Sequence, residues 1–158
     1  MVAGDWVNVI ALTTGGQLLP VGQYRHGTDA VTVEIPGGAV DPGEDPAVAA
    51  ARELEEETGH RAGRIELIGS VEPNPAFLNN TCWTYLATGC TPDGQAQPDS
   101  TEEIRVRMSS LEEFTALIDG GVIRHSLVVA AHDHLRRVEA KNPEWAEIIH
   151  RCSASESV

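Results

Sequence analysis

The chain has 158 residues, 41% of them hydrophobic, with 24 acidic against 11 basic side chains and a formal net charge of −13. That length suits one domain whose core needs no disulfide support, and a carboxylate surplus with a single lysine, Lys141, argues against a nucleic-acid surface, where phosphates must meet clustered Lys and Arg. No apolar run reaches transmembrane length, the N-terminus lacks a basic start followed by an apolar stretch, and Cys82, Cys90 and Cys152 have no metal-type spacing, so a cytoplasmic protein with reduced thiols and no membrane partner is expected.

In chain order, Trp6 to Leu12 is a strand candidate, Gly15-Gly16 a hairpin turn and Gln17 to Gln23 the return strand. Val31 to Ile35 alternates Val31, Val33 and Ile35 with period two and predicts a third strand. Pro36-Gly37-Gly38 then ends the apolar run with residues that permit tight turns and close approach to a ligand. Asp41-Pro42-Gly43 signals a turn, Asp45 offers a side-chain cap, Pro46 suits the first helical position, and Gly59 fits a left-handed helix end. Between them Ala47, Ala50, Ala51, Leu54 and Thr58 make a small apolar stripe that can lie close against a sheet, with the glutamates of the helix facing away from the core. Arg64 to Glu72 and Thr81 to Ala87 read as strands flanking a loop rich in Pro and Asn, and Ile104 to Met108 as a short strand. Leu111 to Ile118 predicts a helix capped by Ser109 or Ser110, and Ser126 to Ala140 a longer one stopped before Asn142-Pro143. Mixed strands with three helices indicate an α/β sandwich. Residues 1–150 read as one domain and 151–158 as a polar, disordered tail.

Chemistry concentrates on the helix after Asp45. Glu53, Glu56 and Glu57 are three and four residues apart and emerge from one helical face. Like charges at that spacing cost roughly 0.2–0.5 kcal/mol per pair. A hard divalent cation reverses the sign, since Mg2+ or Mn2+ takes carboxylate oxygens.

These residues carry a family resemblance. The stretch from Gly38 to His60 resembles the Nudix box, G-x5-E-x7-R-E-U-x-E-E-x-G-U with U bulky and apolar. Gly38, Glu44, Arg52, Glu53, Leu54, Glu56, Glu57 and Gly59 each fall on the required position, and His60 alone departs, in the last apolar slot. The resemblance implies a Nudix-like α/β/α sandwich with a mixed β-sheet, and Mg2+-dependent hydrolysis (Mn2+ serving as well) of a nucleoside diphosphate linked to another group. Bridging cations would neutralise a diphosphate that otherwise repels an attacking water. It implies Glu53 and Glu57 as direct metal ligands, with Glu56 another ligand or a bridge, and the Gly37 carbonyl as a further ligand. Arg52 is structural, pairing with Glu56 at i+4 or reaching Glu44 to orient the loop. Glu44 is then a brace behind the ligands or a ligand in some metal states.

Outside the box, Gln23-Tyr24-Arg25 resembles the Q-x-R segment of ADP-ribose pyrophosphatases, which implies that Arg25 grips substrate phosphate through a bidentate guanidinium. Glu34 aligns with an acidic position lining the same cleft. Pro75, fifteen residues after His60, marks the ADP-ribose and nucleotide-sugar branch. In its loop Phe77 could stack on a base or sugar, and Asn74 and Asn80 could meet hydroxyls. A loop glutamate before the Ile104 strand, Glu102 in preference to Glu103, aligns with a metal-binding or catalytic position and is the candidate general base. His26, His125, His132 and His134 have no partner pattern and read as surface residues. The box begins too early for the N-terminal strands with which ADP-ribose pyrophosphatases build a swapped dimer. A homodimer could still use Trp83, Leu86 or the late helix. The expected activity is cleavage of a nucleotide sugar or ADP-ribose to a nucleoside monophosphate and a sugar phosphate. The alternatives are a nucleoside triphosphate pyrophosphohydrolase releasing pyrophosphate and a non-catalytic nucleotide-binding module.

Overall fold

The computed structural model describes residues 3–94, 96 and 104–153. Two sheets and four helices make an α/β/α sandwich. The larger sheet is centred on β1 (Trp6–Thr13), which pairs antiparallel with β4 (Gly37–Ala39) and parallel with β7 (Cys82–Pro92). On its far side β7 pairs antiparallel with β6 (Arg64–Val71) and, at its end, with β5 (His60–Arg61). The smaller sheet is antiparallel, with β2 (Val21–Arg25) between β3 (Ala30–Glu34) and β8 (Ile104–Val106). A parallel pair needs a long crossover; here it contains the whole box, so α1 (Pro46–Thr58) is delivered onto one face of the sheet.

The alternation of β1 builds both halves of the core. Val7, Val9 and Ala11 pack with Ala49, Ala50 and Leu54 of α1, whereas Ile10 and Leu12 pack on the opposite face against the remaining helices. Those are α2 (Leu111–Asp119), α3 (Ser126–Lys141) and α4 (Pro143–Ser153), which contribute Phe114, Val128, Leu135, Trp145 and Ile149.

Four sequence expectations change. The chain turns at Gly15-Gly16 and comes back beside β1 only as far as Leu19, with Thr13 N donating to Gln17 O at 2.8 Å, Leu18 bridging Leu12 and Leu19 N donating to Ala11 O at 3.0 Å, before Pro20, with no N–H to donate, interrupts the ladder. The strand resumes at Val21 in the other sheet. The helical stripe is also shifted, because Ala49 is buried and Ala51 exposed. Glu57, expected to face away from the core, is 4% exposed. Finally, Asn142-Pro143 ends α3 but also begins a fourth helix: Pro143 takes its first position and Asn142 Oδ1 accepts from Glu144 N at 3.0 Å. Trp145 and Ile149, four residues apart, bury its inner face, and Arg64 lies over the Trp145 ring at 4.4 Å.

Candidate active site

The box helix is placed by local chemistry at both ends. Asp45 accepts from Ala47 N at 2.8 Å as N-cap, and Gly59 closes the helix at φ 67° with its N–H on Glu55 O. His60, in the apolar slot, is nonetheless buried, with its Nδ1 2.8 Å from Thr58 O. With Ala49, Ala50 and Leu54 held against the sheet, Glu53 and Glu57 project along the side of α1 toward Gly37 and Gly38.

Neither position of that strand has free room for a β-carbon. A β-carbon at Gly37 would collide with the Val7 carbonyl and lie 2.9 Å from Asn8 Cα; one at Gly38 would run into the Glu53 carboxylate. The Gly37 amide donates to Glu57 Oε2 at 3.2 Å, and the Glu53 side chain is only 13% exposed. Arg52 binds the cluster together. Its Nε and Nη2 donate to Glu44 at 3.1 and 3.0 Å, Nη1 donates to Glu53 at 2.8 Å and Glu56 at 3.2 Å, and Nη2 also reaches Ala39 O. Both partners expected of Arg52 are therefore present, and Glu53 is a third. Glu44 is held below the ordinary carboxylate range, first by the Arg52 hydrogen bonds and then by the Asp41 amide.

These donors match a hard cation in chemistry, being carboxylate and carbonyl oxygens. Among the described residues, however, no three His, Cys, Asp or Glu side chains are gathered closely enough to hold an ion. A cation would have to draw Glu53 and Glu56 away from the Arg52 guanidinium. Glu102 lies outside the described residues.

Beside Gly37 and Gly38 opens a cleft of about 370 Å³, walled by Trp6 and Asn8 of β1, Gln23 and Arg25 of β2, Glu34, and the first turn of α3. Arg25 and Glu34 face the cleft together, because residues 21, 23, 25, 32 and 34 share one face of the small sheet. Arg25 Nε and Nη2 donate to the two Glu34 oxygens at 2.8 and 2.7 Å, and Thr32 Oγ1 donates to Glu34 at 2.6 Å. Burial opposes ionisation of Glu34 most strongly, but the Arg25 and Thr32 hydrogen bonds, with the charges of His125 and Arg25, outweigh it and leave the carboxyl below its usual range.

Asn74, Phe77 and Asn80 are not among the residues walling this cleft. Asn80 is 1% exposed and donates from Nδ2 to Gly4 O at 3.0 Å, fastening the N-terminal segment. The Asn74 carbonyl closes a turn with the Phe77 and Leu78 amides, and Phe77 is 70% exposed. The histidines expected at the surface divide. His132 is buried and bonded to Thr115 Oγ1 at 2.9 Å, His134 lies against Gly69, and His125 walls the cleft. Trp6 and Asn8 were detectable as the polar and aromatic interruptions on a strand face that continues as Ile10 and Leu12.

The sandwich therefore sets a carboxylate-bearing helix beside an open cleft. A NUDIX domain model matches residues 4–131. The chain is 36% identical to a methanol dehydrogenase activator from Bacillus methanolicus and 30% identical to an ADP-ribose pyrophosphatase from Bacillus subtilis, each over 85% of this chain and 73% of the relative. Its fold superposes on a crystal structure of an ADP compounds hydrolase with a TM-score of 0.77, at 21% identity over 87% of this chain and 74% of that one. The chain belongs to the Nudix family and is a pyrophosphohydrolase.

Proposed function

We propose that the protein hydrolyses the diphosphate bond of a nucleoside diphosphate linked to a sugar or similar group, ADP-ribose included, to a nucleoside monophosphate and a sugar phosphate, with Mg2+ as cofactor and Mn2+ able to replace it. One observation carries this reading: Gly37 and Gly38 separate the Glu53–Glu57 pair from a cleft large enough for a nucleoside, so a diphosphate lying across the glycines would reach both. The relatives named ADP-ribose pyrophosphatase support it.

In this reading Glu53, Glu57 and the Gly37 carbonyl hold the cation, with Glu56 joining once released from Arg52. The bound cation supplies neutralisation of the diphosphate charge and activation of water. Arg52 keeps Glu44 and the ligand carboxylates oriented, Arg25 steadies a phosphate oxygen from the cleft wall, and Glu102 takes the proton of the attacking water.

The test is a panel of ADP-ribose, ADP-glucose, UDP-glucose, GDP-mannose and dNTPs with Mg2+, Mn2+ or EDTA, with products identified. Monophosphate and sugar phosphate from the linked nucleotides, lost with EDTA, are expected. Pyrophosphate from dNTPs alone would transfer the protein to the triphosphate branch.

A further inference from the structure

The cleft wall carries polar atoms that diphosphate chemistry leaves idle. Asn8 is 7% exposed; its Nδ2 donates to Leu127 O at 3.2 Å, which fixes the amide and leaves Oδ1 buried without a hydrogen-bond partner. His125, two residues before Leu127, stands at the N-cap of α3 but makes no capping bond, and its Nδ1 is buried and unpartnered too. Among the described residues six buried side-chain polar atoms lack a partner, and these two alone belong to residues that wall the cleft, where a ligand can complete them. Trp6, two residues before Asn8 and therefore on the same strand face, borders the same cleft at 36% exposure.

Arg25 and Glu34 already pair with one another at this wall. A neutral aromatic ring with a hydrogen-bonding edge suits this wall better than another phosphate. Asn8 Oδ1 is an acceptor and needs a donor, while His125 in its Nδ1–H tautomer donates and needs an acceptor. Adenine and cytosine carry that pair on one edge, an exocyclic amine beside an unprotonated ring nitrogen. Hypoxanthine and uracil present the reverse, a carbonyl beside a ring N–H.

We propose that Trp6, Asn8 and His125 form a nucleobase subsite that stacks the ring on Trp6 and selects amino bases, adenine or cytosine, over their oxo counterparts. The proposal deepens the reading above and rests on it for the placement of the diphosphate.

Calorimetric titration with AMP, IMP, CMP and UMP tests it without turnover. The unaltered protein should bind AMP over IMP, and CMP over UMP, by roughly tenfold, the scale of one or two net hydrogen bonds. Asn8→Ala should bring both ratios near one. His125→Ala, which removes no capping bond, should narrow them in a chain whose melting is unchanged. Trp6→Ala should weaken all four by about tenfold while keeping the ratios. Equal binding of AMP and IMP, no binding of AMP or CMP, or ratios that survive both Asn8→Ala and His125→Ala would overturn the subsite. Cleavage of ADP-ribose with no amino-base preference removes the subsite and leaves the hydrolase. Amino-base preference with no cleavage of any linked nucleotide does the reverse.

Discussion

Gly38 and Glu53 fit as a notch and the group that fills it: a β-carbon on Gly38 would lie 2.5 Å from the Glu53 carboxyl carbon. The neighbouring Gly37 differs, because there the collision is with the backbone of Val7 and Asn8. The two glycines should therefore fail in different ways. In Gly38→Ala the flexible carboxylate can swing aside, so melting should change little while Mg2+ affinity, read by calorimetry, falls roughly 10–100-fold. In Gly37→Ala the β1–β4 pairing must yield, and stability should drop by about 1–3 kcal/mol in urea unfolding. Equal effects of the two would show that Gly38 does not shape the carboxylate.

Glu57→Gln keeps the shape and the Gly37 hydrogen bond but removes a charge. We expect kcat to fall roughly 100-fold or more with the fold intact by circular dichroism. An active variant would move the cation elsewhere.

Arg52→Gln removes the only guanidinium that joins Glu44, Glu53 and Glu56 among the described residues. Because Arg52 also competes with a cation for Glu53 and Glu56, its loss should slow turnover about 10-fold or more through disorder of the ligands, while metal affinity changes less than in Glu57→Gln. Parallel metal titrations and kinetics of the two variants make the comparison.

Arg25→Ala takes the guanidinium from buried Glu34 and leaves it the Thr32 hydrogen bond. Since Arg25 is itself about two-fifths exposed, the expected loss of stability is reduced by solvent screening to about 1–3 kcal/mol. The Glu34 pKa is lowered in the folded state, so this contribution is complete above the unfolded pKa and disappears as pH falls through the folded one. Arg25→Ala/Glu34→Gln should recover part of the stability yet retain a raised KM. Recovery of KM as well would make Arg25 a strut and not a substrate contact.

His132 gives a second pH signature. Burial is the main force lowering its pKa, aided by Arg136 and opposed by Asp119, Asp133 and Glu139. A depressed folded pKa means that the folded state takes up its proton later than the unfolded chain. Its contribution is thus present above about pH 6.5 and is lost as pH falls below it, with a slope of at most about 1.4 kcal/mol per pH unit. His132→Gln, which can keep the bond to Thr115, should flatten unfolding free energy across that window.

The carboxylate helix could be read from the sequence because everything that makes it is local: a cap at Asp45, proline at the first position, a left-handed Gly59 and glutamates spaced by one turn. Of the cleft, the resemblance indicated Arg25 and Glu34 alone, since Trp6 and His125 join them only through strand pairing and the docking of α3. Period two marked β3, and Trp6 to Leu12 also forms the strand expected of it, but nothing in residues 17–23 said that Pro20 would pass the strand to a second sheet. Asn80 in the Pro/Asn loop depends on tertiary contacts in the same way. Asparagines suited to hydroxyl groups are equally suited to backbone, and Asn80 takes Gly4. Asn142-Pro143 was legible as a stop but not as a start, because Trp145 and Ile149 need α3 to pack against.

The parallel partnership of β1 with β7 also dictates a timetable. Trp6 lies opposite Cys82, so the platform beneath the glutamates closes only after the intervening helix and β6 have been synthesised. Closing so long a loop is entropically slow. On the ribosome, α1 would emerge and coil early, then wait for its floor, and the cleft would be complete only later still, when α3 docks.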